Sequence, residues 1–109
     1  MRRPRGGMTE ADFQRSVIHL AELYGWMVCH FHDSRRMVRG RLVGDSQAAG
    51  WPDLVLAGHG RVMFVECKTD SGRLSPAQEA WRDALLGNGA IWRVWRPLDW
   101  LEIESELAA

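Results

Sequence analysis

The chain has 109 residues and equal numbers of acidic and basic side chains, fourteen of each. That length suits one domain around one core, and a composition of 46% hydrophobic and 26% charged residues excludes an intrinsically disordered chain. No apolar run approaches the roughly 20 residues of a bilayer-spanning helix. The basic start Met1-Arg2-Arg3-Pro4-Arg5 also lacks the apolar stretch of a signal peptide, so a cytoplasmic location without membrane contact is expected.

Residues 1–8 read as a disordered basic tail and 9–109 as a single domain. Thr9 fits an N-cap, with Glu10 and Asp12 in the first turn, where negative charge favours a helix N-terminus. Phe13, Val17, Leu20, Ala21 and Tyr24 recur at helical spacing, and Gly25 stops the helix. Trp26 to Phe31 is short and β-rich, hence a strand. Residues 33–50 hold Gly40, Gly44 and Gly50 among Arg, Ser and Gln with little periodicity, which predicts one long loop. Asp53 to Ala57, opened by Trp51-Pro52, is the second strand. A short turn at Gly58-His59-Gly60 leads into the third, Arg61 to Cys67, and the two should pair as an antiparallel hairpin.

Ser75-Pro76-Ala77-Gln78 has the form of a helix start: Ser75 as N-cap, Pro76 at the first helical position and Gln78 completing a capping box. Ala77, Ala80, Trp81, Ala84 and Leu85 mark the expected buried face. Ala90 to Trp95 is a fourth strand, stopped by Pro97, and Leu98 to Leu107 a closing helix. The order α-β-β-β-α-β-α predicts an α/β domain with a mixed sheet of about four strands flanked by helices, the last two strands parallel.

Charge is unevenly spread. Residues 1–50 carry eight Arg against five acids, and residues 51–109 six bases against nine acids. The cluster Arg35, Arg36, Arg39 and Arg41 suits phosphate contacts, though a solvated loop would look the same. Of the fourteen basic residues, thirteen are Arg and one, Lys68, is Lys. Lys offers a compact ammonium where Arg offers a planar fork. Cys29 and Cys67 lie in apolar segments without a C-x-x-C spacing, so both are expected reduced and buried.

Side chains alternate along a strand, so Glu66 and Lys68 share a face. Asp53 opens one strand of the hairpin as Glu66 ends the other, and antiparallel pairing brings the two carboxylates together. Adjacent carboxylates repel unless a cation lies between them, and hard oxygen ligands suit magnesium or manganese. Lys68 beside them could orient water or neutralise charge developing on a phosphoryl group. A rival metal set, Cys29, His30 and His32, lacks tetrahedral zinc spacing because Cys29 faces away from the two histidines. Trp81 falls on the apolar face of a helix and Trp92 and Trp95 on a strand, so most of the six tryptophans are expected in the core; Trp51, in the loop beside Asp53, is the candidate for substrate contact.

Gly50-Trp51-Pro52-Asp53-Leu54, Val65-Glu66-Cys67-Lys68, Ser75-Pro76-Ala77-Gln78 and the closing Arg96-Pro97-x-x-Trp100 together resemble the VRR-NUC branch of the PD-(D/E)XK nucleases, over roughly residues 9–107. The resemblance implies a restriction-endonuclease-like core and a magnesium-dependent DNA endonuclease, with manganese as a substitute. It further implies metal binding by Asp53, Glu66 and the Cys67 carbonyl, and catalysis by Lys68. Glu10 would match an acidic residue on the first helix and Gln78 a supporting glutamine, although both also suit plain helix capping. Small free-standing members from phages and bacteria point to branched or junction DNA and a homodimer. The alternative is a non-catalytic nucleic-acid-binding or assembly subunit that keeps the fold.

Overall fold

The computed structural model of the protein describes residues 7–31 and 49–109 in full, and residues 36–38 and 41–43 by their backbone. Helix α1 (Glu10–Leu23) starts where Thr9 accepts the Asp12 N–H on its side chain. Strand β1 (Met27–His30) follows, then a short antiparallel ribbon of β2 (Arg36–Val38) and β3 (Arg41–Val43). Strands β4 (Leu54–Gly58) and β5 (Arg61–Cys67), helix α2 (Pro76–Gly87), strand β6 (Ile91–Trp95), a 3-10 turn (Pro97–Asp99) and helix α3 (Trp100–Ala108) complete the chain.

The main sheet has four strands in the order β1-β4-β5-β6. β4 pairs antiparallel with both β1 and β5, whereas β5 and β6 run parallel across the α2 connection. Within the β4–β5 hairpin, Gly58 faces Arg61 across a two-residue turn in which His59 and Gly60 both take positive φ, 50° and 80°. Positive φ at both central positions matches the right-handed twist of the flanking strands. The expected order α-β-β-β-α-β-α is the order of the core.

Residues 33–50 are not a single loop, because β2 and β3 lie within them. The apolar positions there, Met37, Val38, Leu42 and Val43, are too few to show a strand period between the glycines.

One face of the sheet carries Leu54, Leu56, Met63, Val65 and Cys67, all fully buried. Phe13, Val17, Leu20 and Ala21 of α1 and Trp100, Ile103 and Leu107 of α3 join them in one core. Tyr24, expected on the buried face of α1, is the exposed C-cap instead. α2 also departs from expectation: none of its residues is fully buried, and Ala80 and Ala84 are exposed. It meets the other sheet face through Trp81, which sets an edge against Trp51, itself edge-on to Phe64. At the turn end of the sheet, Trp26 donates its indole N–H to Leu107 O at 2.9 Å and stacks on His59, tying down α3. Among the described residues, no helix is long and apolar enough to cross a membrane.

Candidate active site

The end of the sheet opposite that turn gathers the charged residues. The β4–β5 register sets Leu54 against Val65, so the next pair along is Asp53 and Glu66. Each fixes the other through the backbone. The Asp53 N–H donates to Glu66 Oε1 at 3.2 Å, and the Cys67 N–H donates to Asp53 Oδ2 at 2.9 Å. The Asp53 carbonyl accepts the Phe31 N–H at 2.9 Å, which extends the β1–β4 ladder past its last residue. Three strands therefore converge on Asp53.

Glu66 is the one fully buried charged residue among those described, at 0% exposure. Its second oxygen, Oε2, is buried with no hydrogen-bond partner. Burial, then the neighbouring Asp53 charge and the contact between the two carboxyls, push the Glu66 carboxyl from an ordinary 4.5 up to about 8. Both causes disfavour the charged form of Glu66, and a cation between the two carboxyls would relieve that repulsion. Burial likewise pushes the Cys67 thiol up, with Asp53 and Glu66 adding to it. Cys67 alternates to the core face, leaving only its backbone at the site.

Lys68 continues the ladder, its N–H donating to Trp95 O at 3.0 Å, and so keeps the alternation that puts it on the Glu66 side. Its side chain is 12% exposed, with Nζ 3.9 Å from Glu10 Oε2. Glu10 thus reaches the site from the first turn of α1. Its carboxyl is raised by burial, lowered by Lys68 and raised again by Asp53. The sequence-derived set Asp53, Glu66, Lys68 and Glu10 is brought together.

Gln78 has a different place. Its Oε1 accepts the Ser75 N–H at 2.9 Å while its own N–H donates to Ser75 Oγ at 3.2 Å, a complete capping box. The first turn of α2 in turn abuts the loop that leads into Asp53. A Cβ on Gly50, whose φ is +81°, would lie 2.3 Å from the Ala77 carbonyl carbon and 2.7 Å from the Gln78 nitrogen. Only glycine fits such an approach. Trp81 strengthens the contact by donating to Ala49 O at 3.1 Å. Trp51, the candidate for substrate contact, is half-buried and edge-on to Phe31, Phe64 and Trp81. Sequence reasoning missed this dock, although the Gly50 it requires sits inside the motif.

Arg35, Arg39 and His32 lie outside the described residues. Arg36 and Arg41 occupy diagonal register positions on the β2–β3 ribbon, opposite Val43 and Val38. Among the described residues, no three His, Cys, Asp or Glu side chains form a ready cage. The donor set is two carboxylates with the Cys67 carbonyl beside them. That set fits magnesium, which keeps several waters and takes one or two carboxylates from protein. The orphaned Glu66 Oε2 is the atom such an ion would satisfy.

Comparison with known proteins bears on the fold and the family. A solved VRR-NUC domain superposes with a TM-score of 0.65 at 22% identity, covering 91% of this chain and 97% of its own. At that identity the likeness speaks for the fold. No curated protein matches the chain. A family profile described as the VRR-NUC domain matches residues 27–96, a span that holds β1 to β6 and every site residue except Glu10. The chain belongs to the VRR-NUC domain family.

Proposed function

We propose that this domain is a metal-dependent DNA endonuclease that hydrolyses phosphodiester bonds with Asp53, Glu66 and Lys68. The observation that carries the reading is the carboxylate pair of half-buried Asp53 and fully buried Glu66, with Glu66 Oε2 unpartnered and Lys68 alongside. An orphaned buried oxygen is uncommon in a plain structural pair, and a carboxyl raised to about 8 beside a second one favours a functional site. Asp53, Glu66 and the Cys67 carbonyl would hold magnesium, or manganese in its place. The ion, when bound, supplies Lewis acidity towards a phosphoryl oxygen and an attacking water.

The chain's own residues do the rest. Lys68 places a positive charge where negative charge develops on the phosphoryl group, and its low exposure strengthens that effect. Glu10 orients the Lys68 ammonium from the side. Gln78 keeps the first turn of α2 intact and thereby the loop that delivers Asp53. The arginine-bearing segment around β2 and β3 provides phosphate contacts, and a two-stranded ribbon has the width of a DNA major groove.

The substrate we favour is branched or junction DNA, cut by a homodimer. One domain of this size reaches one strand, and a two-fold pair presents two sites. The setting would be the cytoplasm of a bacterium or a phage-infected host. The test is incubation of purified protein with linear, flapped and four-way DNAs in magnesium, manganese or chelator. Cleavage that needs metal and prefers the branched forms is expected. Loss of all cleavage in every metal would leave the non-catalytic subunit as the better reading.

A further inference from the structure

The segment Arg96-Pro97-Leu98-Asp99-Trp100 takes no part in the carboxylate pair, yet it reaches the loop after Lys68. Pro97 and Trp100 are buried and anchor it. Asp99 Oδ2 accepts the Arg96 N–H at 2.9 Å, fixing the direction in which Arg96 leaves β6. One guanidinium nitrogen, Nη1, then donates to two carbonyls, Thr69 O and Gly72 O, each at 2.6 Å. Those carbonyls bound a turn closed by the Gly72 N–H on Thr69 O at 3.2 Å. The Leu98 N–H adds a third tie to the same turn, donating to Asp70 Oδ1 at 3.0 Å.

This turn starts at the residue after Lys68 and folds back on the lysine stem. A Cβ built on Gly72 would lie 3.6 Å from Lys68 Cδ, an ordinary van der Waals distance, and 3.0 Å from Thr69 Oγ1, so the turn runs directly beside the lysine stem. A lysine stem has several rotatable bonds and samples many rotamers unless packed. The turn borders the stem on one side, while Glu10, 3.9 Å from Nζ, attracts the ammonium.

We propose that Arg96 is a positioning residue for Lys68, pinning the Thr69–Gly72 turn against the lysine stem so that its ammonium stays at the Asp53–Glu66 pair. The proposal rests on the reading of Lys68 as the catalytic lysine. Arginine suits the task because its guanidinium is charged at every working pH and carries several donors in one rigid plane.

The test uses the fact that Lys68 is the sole lysine, so nitrogen-labelled lysine gives one backbone and one side-chain magnetic-resonance signal. Arg96→Met keeps the apolar stem and removes the donors. In metal-free protein its Lys68 side-chain signal is expected to move towards that of free lysine. With magnesium and a four-way DNA, its single-turnover rate should fall roughly tenfold to a hundredfold, the scale of a misplaced group, with DNA affinity unchanged. Arg96→Gln, which keeps an amide donor at that place and adds no second lysine signal, should recover part of both readouts.

A folded Arg96→Met with the wild-type lysine signal and the wild-type rate overturns the proposal. Should Arg96→Met fail to fold, Arg96→Gln, which loses the charge and the guanidinium fork, decides the matter: intermediate values support the proposal, and wild-type values in both readouts overturn it. If the wild type cleaves nothing in any metal, the nuclease reading fails, while the lysine signal still decides whether Arg96 positions Lys68.

Discussion

Replacing Glu66 by Gln should make the metal-free protein more stable at neutral and alkaline pH. Below about pH 4.5, Glu66 is protonated in both the folded and the unfolded chain. Between 4.5 and about 8 only the folded chain keeps the proton, so unfolding releases it and stability falls as pH rises. Above about 8 the group is ionised in both states and the loss is complete. At about 1.4 kcal/mol for each pH unit, the rise from 4.5 to about 8 sets a ceiling of about 5 kcal/mol. Water entry and movement of the two carboxyls should relieve about half of it, leaving about 2–3 kcal/mol.

Glutamine keeps the shape and an oxygen for the Asp53 N–H, but it has no proton to lose. The assay is urea unfolding of wild type and Glu66→Gln in chelator from pH 5 to 9. The difference between the two curves isolates Glu66 from the other acids, including Glu10, which is raised in the same direction. The two proteins should lie closest near pH 5 and furthest apart above pH 8. Parallel curves, or a wild type that gains stability relative to the variant as pH rises, would refute the reasoning.

Lys68→Ala should fold and bind metal yet lose cleavage by about a hundredfold to a thousandfold, the cost of removing one charge-stabilising donor. Lys68→Arg should not rescue it, because a planar fork replaces an ammonium that is 12% exposed and 3.9 Å from Glu10; single-turnover cleavage reads both. Gly50→Ala must push its Cβ into the Ala77 carbonyl, 2.3 Å away, at positive φ. Thermal melts should show a loss of about 2–4 kcal/mol, with cleavage lost beyond what unfolding explains. Replacing Arg35, Arg36, Arg39 and Arg41 by Gln should weaken DNA binding and reduce the slope of log affinity against log salt by about 0.9 for each lost phosphate contact.

The parts that were legible in the sequence are those set by local rules. Thr9 and Ser75 cap their helices as their side chains dictate, and the His59-Gly60 turn fixes the β4–β5 register. That register alone brings Asp53 to Glu66. What escaped depends on contacts between distant segments. The apolar spacing of Ala77 to Leu85 has a helical period, but a period does not say how deeply a face is covered, and α2 stays half-buried. Gly50 reads as a loop residue until the first turn of α2 is seen against it. Arg96 belongs to a visible motif, but its partners are backbone carbonyls 24 and 27 residues away, which carry no side-chain signal. Gln78 fits both a capping box and a supporting role, and the capping bonds are the ones formed.

The central claim is that Asp53 and Glu66 hold a divalent ion independently of Lys68. Titration of manganese, followed by the electron-spin signal of the free ion, tests it directly on wild type, Asp53→Asn, Glu66→Gln and Lys68→Ala. A manganese site, displaced by magnesium, is expected in wild type and Lys68→Ala and should be lost in both carboxylate variants. Manganese binding to Asp53→Asn and Glu66→Gln as tightly as to wild type would contradict it.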